Sequence, residues 1–464
     1  MISAKRRGAA RLAAAVLASG LAAVGAIAVA GPAAADDATP DQGGATATLT
    51  GLRVFDQAVI HDDGKDQEVG AGLFEMAVDN GGTIQTYCID IHNPTQEKAR
   101  YQEKPWDATS LHNNPDAGKI RWILQNSYPQ VNDLSALAAK AGSGALTEKT
   151  AAAGTQVAIW RFSDKADVEA VDPAAEKLAD YLEKSAQGLE EPKASLTLDP
   201  PAVSGKSGER LGPITVHTNA ARVTVAPGAG APAGVKVVDK DGKPVTSAAN
   251  GSRLYVDIPA GAVDGSTTLT AQATTKVPVG RAFASESKSQ TQILAGSSES
   301  TVSATATATW AKKGPIPALS AEKNCAKGGV DVTATNKGDE AFTFELAGKE
   351  HTVEAGKSET ITVPVREDQS YRFTITGPNG FEKTFSGVLD CKTAGNGGGQ
   401  DTPPNKPGPA SAGGTTGGET DGGDLAETGS SSNTPMIAGI AVALVAIGGG
   451  TVFFLRKKKS GAAQ

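Results

Sequence analysis

Between residues 45 and 91 polar and apolar positions alternate in three runs, the pattern of half-buried strands. Strands are predicted at residues 45–60, 71–78 and 83–91, with turns at His61-Asp62-Asp63-Gly64-Lys65 and Asp79-Asn80-Gly81-Gly82. In the third run Ile84, Thr86 and Cys88 share one face, and Tyr87, Ile89 and Ile91 the other. The alternation then gives way to helical spacing. A short helix begins at Pro115 and ends at Tyr128-Pro129, with Ile120, Ile123 and Leu124 on one side. Residues 134–145 read as helix and loop. Thr147 is a predicted N-cap, and Glu148 suits the first turn of the helix it opens. On that helix Ala152, Ala153, Gln156, Ile159 and Trp160 share a face. These small residues, with Gly154 beside them, predict the close approach of a strand. Asp172-Pro173 starts another helix, with Ala175, Leu178, Ala179 and Leu182 as its apolar stripe.

From residue 194 short strands return, separated by Gly, Pro and Asp-Gly turns. They are predicted at 195–198, 214–216, 222–225, 235–238, 254–258, 267–273 and 301–310, and read as one immunoglobulin-like β-sandwich. A third unit shows the same texture at 330–334, 341–346, 358–363, 371–375 and 381–385. The expected fold class is mainly β and modular. A β-sandwich-type domain with an inserted helical layer (36–193) is followed by two immunoglobulin-like β-sandwich domains (194–312 and 313–393). No catalytic cluster is visible in the second unit. Lys–Asn or Thr–Gln cross-links are conceivable in such a stalk, but the Thr291-Gln292 dipeptide is too weak a signal to select a pair.

Both ends are of another kind. Residues 1–35 carry Lys5, Arg6, Arg7 and Arg11, then an apolar run, then Ala33-Ala34-Ala35. This is the order of a secretory signal peptide, with a mature chain from near Asp36. Residues 394–424 are rich in Gly, Pro and Thr and lack apolar patterning, which marks a linker. Fully extended it would reach about 100 Å. Residues 436–455 are apolar over a length that suits a transmembrane helix, and Arg456-Lys457-Lys458-Lys459 should stay on the cytoplasmic side.

The chain has 464 residues and a formal net charge of −7, with no long same-sign block. Mild acidity excludes the basic footprint of a nucleic-acid binder, and charge alone names no partner. Three cysteines in an exported chain leave one over. Cys325 and Cys391 bracket the third unit and are its natural disulfide. Cys88 is then the odd thiol, and an export pathway makes an idle thiol a liability.

Two ordinary uses of Cys88 fit poorly. With His92 it could form a nucleophile pair, but residues four apart on a strand lie too far from each other to hydrogen-bond. Cys88, Asp90 and His92 could offer metal ligands, but no second ligand cluster accompanies them. No metal, cofactor or catalytic acid–base set is therefore expected. A third use of a thiol is condensation with a glutamine side chain. A thiolate is a strong nucleophile and a glutamine amide a poor electrophile, so condensation needs the two groups held in contact. The product is an activated acyl group that water would destroy unless shielded.

The segments Tyr87-Cys88-Ile89-Asp90 and Gly154-Thr155-Gln156-Val157-Ala158-Ile159-Trp160 resemble the two halves of the thioester domain of Gram-positive surface adhesins. That resemblance implies an internal thioester between Cys88 and Gln156, formed with loss of ammonia. Tyr87, Thr155 and Trp160 would position or shield it. It also implies capture of an amine, expected to be a Lys of a partner, in a single turnover rather than by catalysis. Leu425-Ala426-Glu427-Thr428-Gly429, followed by the apolar stretch and the basic tail, resembles a sortase sorting signal of the actinobacterial Leu-Ala-x-Thr-Gly type. It implies cleavage after Thr428 and attachment to peptidoglycan. The resulting expectation is a secreted, wall-anchored adhesin whose partner is an unknown surface protein or other amine-bearing ligand. The competing expectations are a non-covalent adhesin and a purely structural wall protein.

Overall fold

The computed structural model describes residues 43–391 apart from Asp63. The expected signal peptide, linker, sorting pentapeptide and membrane span lie outside the described residues. Among the described residues no helix is long and apolar enough to cross a membrane.

The chain opens with a long hairpin of β1 (Thr46–Asp62) and β2 (Lys65–Val78), paired from Ala47↔Val78 to Asp62↔Lys65. Next come β3 (Thr83–Cys88) and β4 (Arg100–Lys104). β3 is shorter than its alternation predicts and ends on Cys88. The helical layer holds α1 (Ala117–Asn126), α2 (Leu134–Ala141), α3 (Glu148–Ser163) and α4 (Pro173–Ser185), with β5 (Val168–Ala170) between the last two.

The helix starts have local causes. Thr147 accepts from the Thr150 amide at 3.2 Å, while the Thr150 hydroxyl accepts from the Thr147 amide at 2.9 Å. This reciprocal box satisfies two donors that a helix N-terminus leaves free. Asp172 accepts from the amides of Ala174 and Ala175, and Pro173 takes the first position of α4. α3 is buried throughout except at Glu148, Lys149 and Arg161, the signature of a core helix rather than an amphipathic surface helix. Gly154 serves a different neighbour from the predicted strand. A Cβ there would lie 2.4 Å from the Ala175 carbonyl oxygen, so the glycine admits α4.

The second unit contains β6 (Leu196–Asp199), β7 (Ala202–Lys206), β8 (Arg210–Thr218), β9 (Val223–Pro227), β10 (Lys236–Val238), β11 (Ser247–Ala248), β12 (Arg253–Asp257) and β13 (Gly265–Lys276). Then follow β14 (Ala282–Ser285), β15 (Gln292–Ser297) and β16 (Glu299–Ala311). Two sheets, β10-β12-β8-β6 and β11-β9-β13-β16-β7, make the sandwich.

β14 and β15 belong elsewhere, which corrects the boundary expected after residue 193. They form a hairpin inside the first unit's sheet, of order β2-β3-β15-β14-β4-β1-β5, in which β1 also pairs with β2. The strands β1-β2-β3-β15-β14-β4 thus close into a six-stranded antiparallel ring. Residues 277–298 gave no clear strand alternation because β14 and β15 are buried on both faces.

A buried ion pair ties this insertion down. The Arg281 Nε donates to Glu103 Oε1 at 2.9 Å, and both side chains are almost wholly buried. Glu103 also accepts from the amides of Ala45 and Ser195 and from the Ser195 hydroxyl. Arg281 reaches on to Glu191 at 2.6 Å and to the Pro192 carbonyl at 3.1 Å. One carboxylate therefore fastens the start of β1, β4, the first residues of the sandwich and the entrance to the β14–β15 hairpin.

The third unit has β17 (Pro317–Asn324), β18 (Gly329–Asn336), β19 (Phe342–Leu346), β20 (Lys349–Val353), β21 (Ser358–Pro364), β22 (Ser370–Thr376) and β23 (Glu382–Val388). A three-stranded sheet, β17-β18-β21, accompanies the hairpins β19–β20 and β22–β23 around Val330, Phe342, Ile375 and Phe385. Cys325 and Cys391 form its disulfide, with Cα atoms 5.3 Å apart. Cys88 is free and buried.

Candidate functional site

Cys88 and Gln156 are brought together from 68 residues apart in sequence. The Cys88 amide donates to Gln156 Oε1 at 2.9 Å, and Gln156 Nε2 donates to the Cys88 carbonyl at 2.9 Å. Neither residue has any exposed surface. The strand pairing explains the slot. The amide of Ile89 points to the side of β15, where it donates to the carbonyl of Thr291, the residue before that strand, at 3.1 Å. In an antiparallel strand the neighbouring Cys88 amide and carbonyl must point the opposite way. There the pairing of β2 with β3 has already stopped at Phe74↔Thr86. The Gln156 side chain takes the vacant ladder position, its amide standing in for a backbone peptide.

Tyr87 and Thr155 meet behind this pair. The Tyr87 hydroxyl donates to the Tyr128 carbonyl at 2.8 Å and faces the Thr155 hydroxyl. Thr155 itself donates to the Ala151 carbonyl one turn back. Burial pushes the Tyr87 phenol well above its ordinary range. Trp160, one turn beyond Gln156, is buried with its indole N–H turned toward the Cys88 sulfur, where it makes no regular hydrogen bond.

Burial, then the carboxyls of Asp164 and Asp90, push the Cys88 thiol well above its usual range. The Trp160 indole and the Asp90 amide, which donates to Cys88 Sγ at 3.3 Å, act the other way. His92 is not among the groups acting on the sulfur. At neutral pH the thiol keeps its proton, so attack on the amide must be coupled to proton loss.

Sequence reasoning did not single out Asp164. It caps α3 at the C-terminal end, accepts from the Ile91 amide at 3.0 Å and from the Ser163 hydroxyl at 2.6 Å, and so fixes the chain leaving Cys88. The only signal was its place four residues after Trp160. Burial is the main cause that pushes its carboxyl up to about 6. Its folded pKa lies above the unfolded value, so the folded state binds more protons between about pH 4 and 6. Stability is then lost as pH rises through that window, by about 3 kcal/mol at pH 7 for a shift of this size. Burial and neighbouring carboxylates raise Asp90 and Asp390 in the same direction. Calorimetric unfolding is expected at a higher temperature at pH 5 than at pH 7.5. Asp164→Asn keeps an acceptor for Ile91 and should narrow that gap; an unchanged gap would refute the assignment.

Beyond β15 a chain of amides continues the site. Thr86 donates to Gln292 at 3.0 Å, Gln292 to Gln290 at 3.1 Å, and Gln290 to the carbonyls of Asp90 and Asn93. Gln290 and Gln292, which come from the inserted segment, were not readable as site residues because their proximity depends on that insertion.

Comparison with known proteins comes to the same stretch. Among curated proteins none matches this chain. Of solved structures, the Bacillus anthracis TIE protein aligns at 15% identity over 75% of this chain and 81% of its own, with a TM-score of 0.27. The thioester domain of the Enterococcus faecium TIE86 protein aligns at 16% identity over 60% of this chain and 99% of its own, TM-score 0.27. That of the Staphylococcus aureus TIE protein aligns at 16% over 57% and 99%, TM-score 0.24. Scores this low carry no structural argument. Residues 317–388 match the family model of the bacterial phospholipase C C-terminal domain, which covers the third unit. Residues 85–188, the segment that contains both Cys88 and Gln156, match the family model of the thioester domain.

Proposed function

We propose that this chain is a wall-anchored surface adhesin that attaches covalently to an amine through a Cys88–Gln156 thioester. The observation that carries the reading is the reciprocal pairing of the Gln156 amide with the Cys88 backbone in a fully buried slot. The Cys88 amide donates at 2.9 Å to the oxygen on which negative charge gathers when sulfur adds to the amide carbon. In the first step Sγ bonds to Cδ of Gln156, the C–N bond breaks, and ammonia leaves with the thiol proton. In the second an incoming amine nitrogen bonds to the same carbon, the C–S bond breaks, and the sulfur takes a proton from the amine. No electrons are gained or lost, and the new amide is permanent. The chain is consumed in one event, so it acts as a binder and not as an enzyme. Burial supports the scheme because it keeps water from the acyl group between the two steps.

A partner lysine is the amine of choice on a protein surface. Sortase joining of Thr428 to peptidoglycan would present the domain outward, with the second and third units as a stalk. The test is intact mass of the mature chain with and without methylamine. The expected mass is one ammonia below the disulfide-corrected sequence value, gaining one methylamine on treatment, and neither change should occur in Cys88→Ala. A mass at the sequence value with an alkylatable Cys88 in unfolded protein would overturn the covalent reading.

A further inference from the structure

Opening a thioester puts negative charge on sulfur. When an amine displaces it, Cys88 Sγ leaves with the electron pair of the C–S bond, in a slot without exposed surface. Burial and the carboxyls of Asp164 and Asp90 all disfavour a thiolate there. The leaving atom therefore needs donors, and two N–H groups face it.

The first is the Asp90 amide, which donates to Cys88 Sγ at 3.3 Å. The turn that carries it is held from two sides. The Ile91 amide ends on Asp164 at 3.0 Å. Gln290, from the loop between β14 and β15, donates to the Asp90 carbonyl at 3.2 Å and to the Asn93 carbonyl at 2.6 Å. The Asn93 side chain closes the turn by donating to the Asp90 carboxyl at 2.7 Å. A donor fixed before the reaction costs no reorganisation during it.

The second is the Trp160 indole. Trp160 follows Gln156 by one turn on the same face of α3 and is 3% exposed. Its Nε1–H has no hydrogen-bond partner among the described residues, whereas Trp106 and Trp310 give theirs to the carbonyls of Gly280 and Val263, each at 2.8 Å. A buried N–H left unpaired costs free energy, and the acceptor this one approaches is Cys88 Sγ. A thiol is a weak acceptor, but a bond to an ionised partner is a strong one. The loose contact in the free-thiol chain is thus one that tightens as charge reaches sulfur.

We propose that the Trp160 indole N–H and the Asp90 amide form an anion pocket for the Cys88 sulfur, stabilising it as thiolate when it attacks Gln156 and again when an amine displaces it. The inference rests on the thioester reading and gives Trp160 a chemical task beyond shielding. As the amine nitrogen bonds to Cδ of Gln156, the C–S pair withdraws to Sγ, where the two N–H groups hold it. The proton released by the nitrogen then passes to the sulfur.

The test removes the N–H and keeps the ring. In the full mature chain Trp160 is replaced by benzothienylalanine, a tryptophan isostere with sulfur in place of the indole N–H. Opening of the thioester by methylamine and by water is followed by intact mass. Both reactions are expected to slow by about 10-fold or more, the worth of a hydrogen bond to a charged group. Thioester formation should slow as well. A folded isostere chain that never reaches the ammonia-deficient mass would also support the pocket, since only the N–H differs. Equal or faster opening in the isostere chain would overturn the inference and leave Trp160 as a shield, with the thioester intact. A parent chain without the ammonia-deficient mass would instead overturn the thioester reading itself, and this inference with it.

Discussion

A chain ending at residue 193 is expected to form neither the ring of strands nor the Cys88–Gln156 pairing. That cut, although natural from the hydrophobic pattern, removes the β14–β15 hairpin from between β3 and β4. β3 would lose the partner that pairs Gln292 with Cys88 and Ile293 with Tyr87. Phe283, Ile293 and Leu294, all without exposed surface, would leave the core. At about 1.5–3 kcal/mol for each such side chain, the loss is roughly 5–9 kcal/mol, comparable to the 5–15 kcal/mol that holds a typical domain together. Far-ultraviolet circular dichroism and amide dispersion should report an unfolded or molten fragment, whereas a chain reaching residue 391 should be folded. A cooperatively folded 36–193 fragment carrying the ammonia-deficient mass would refute this account of the sheet.

The second large effect is expected at Arg281. Replacing it with methionine leaves the Glu103 carboxylate buried against Ala45 and Ser195 without its counter-charge. Breaking one partner of a buried pair costs about 3–5 kcal/mol, far more than removing both. Arg281→Met should therefore lower the denaturation midpoint strongly, and adding Glu103→Gln should recover much of the loss. Because the carboxylate joins four segments, the single variant should also slow or prevent formation of the thioester mass. A midpoint within experimental error of the parent would mean that the pair does not hold the inserted hairpin.

Local features were well marked along the chain. Thr147 and Asp172 start α3 and α4 as their side chains dictate, and Ala175, Leu178, Ala179 and Leu182 are the buried face of α4. Five of the seven strands of the third unit follow their alternation, β17 and β20 having been missed, and the cysteine count already paired Cys325 with Cys391. Each of these depends on neighbours within a few residues or on a count.

What the sequence by itself determined is thus the mainly β class, the helix caps, the turn positions and the two short motifs that hold Cys88 and Gln156. The tertiary structure alone decided three other things. It stopped the pairing of β2 with β3 short of Cys88, so that a side-chain amide completes the ladder. It returned β14 and β15 to the first unit some 180 residues after β4. It also brought Asp164 up to the loop after Cys88. The reason is physical. Periodicity reports which face of an element is buried, but a strand buried on both faces has no period. A carboxyl's neighbours across a junction depend on packing between segments that share no local sequence.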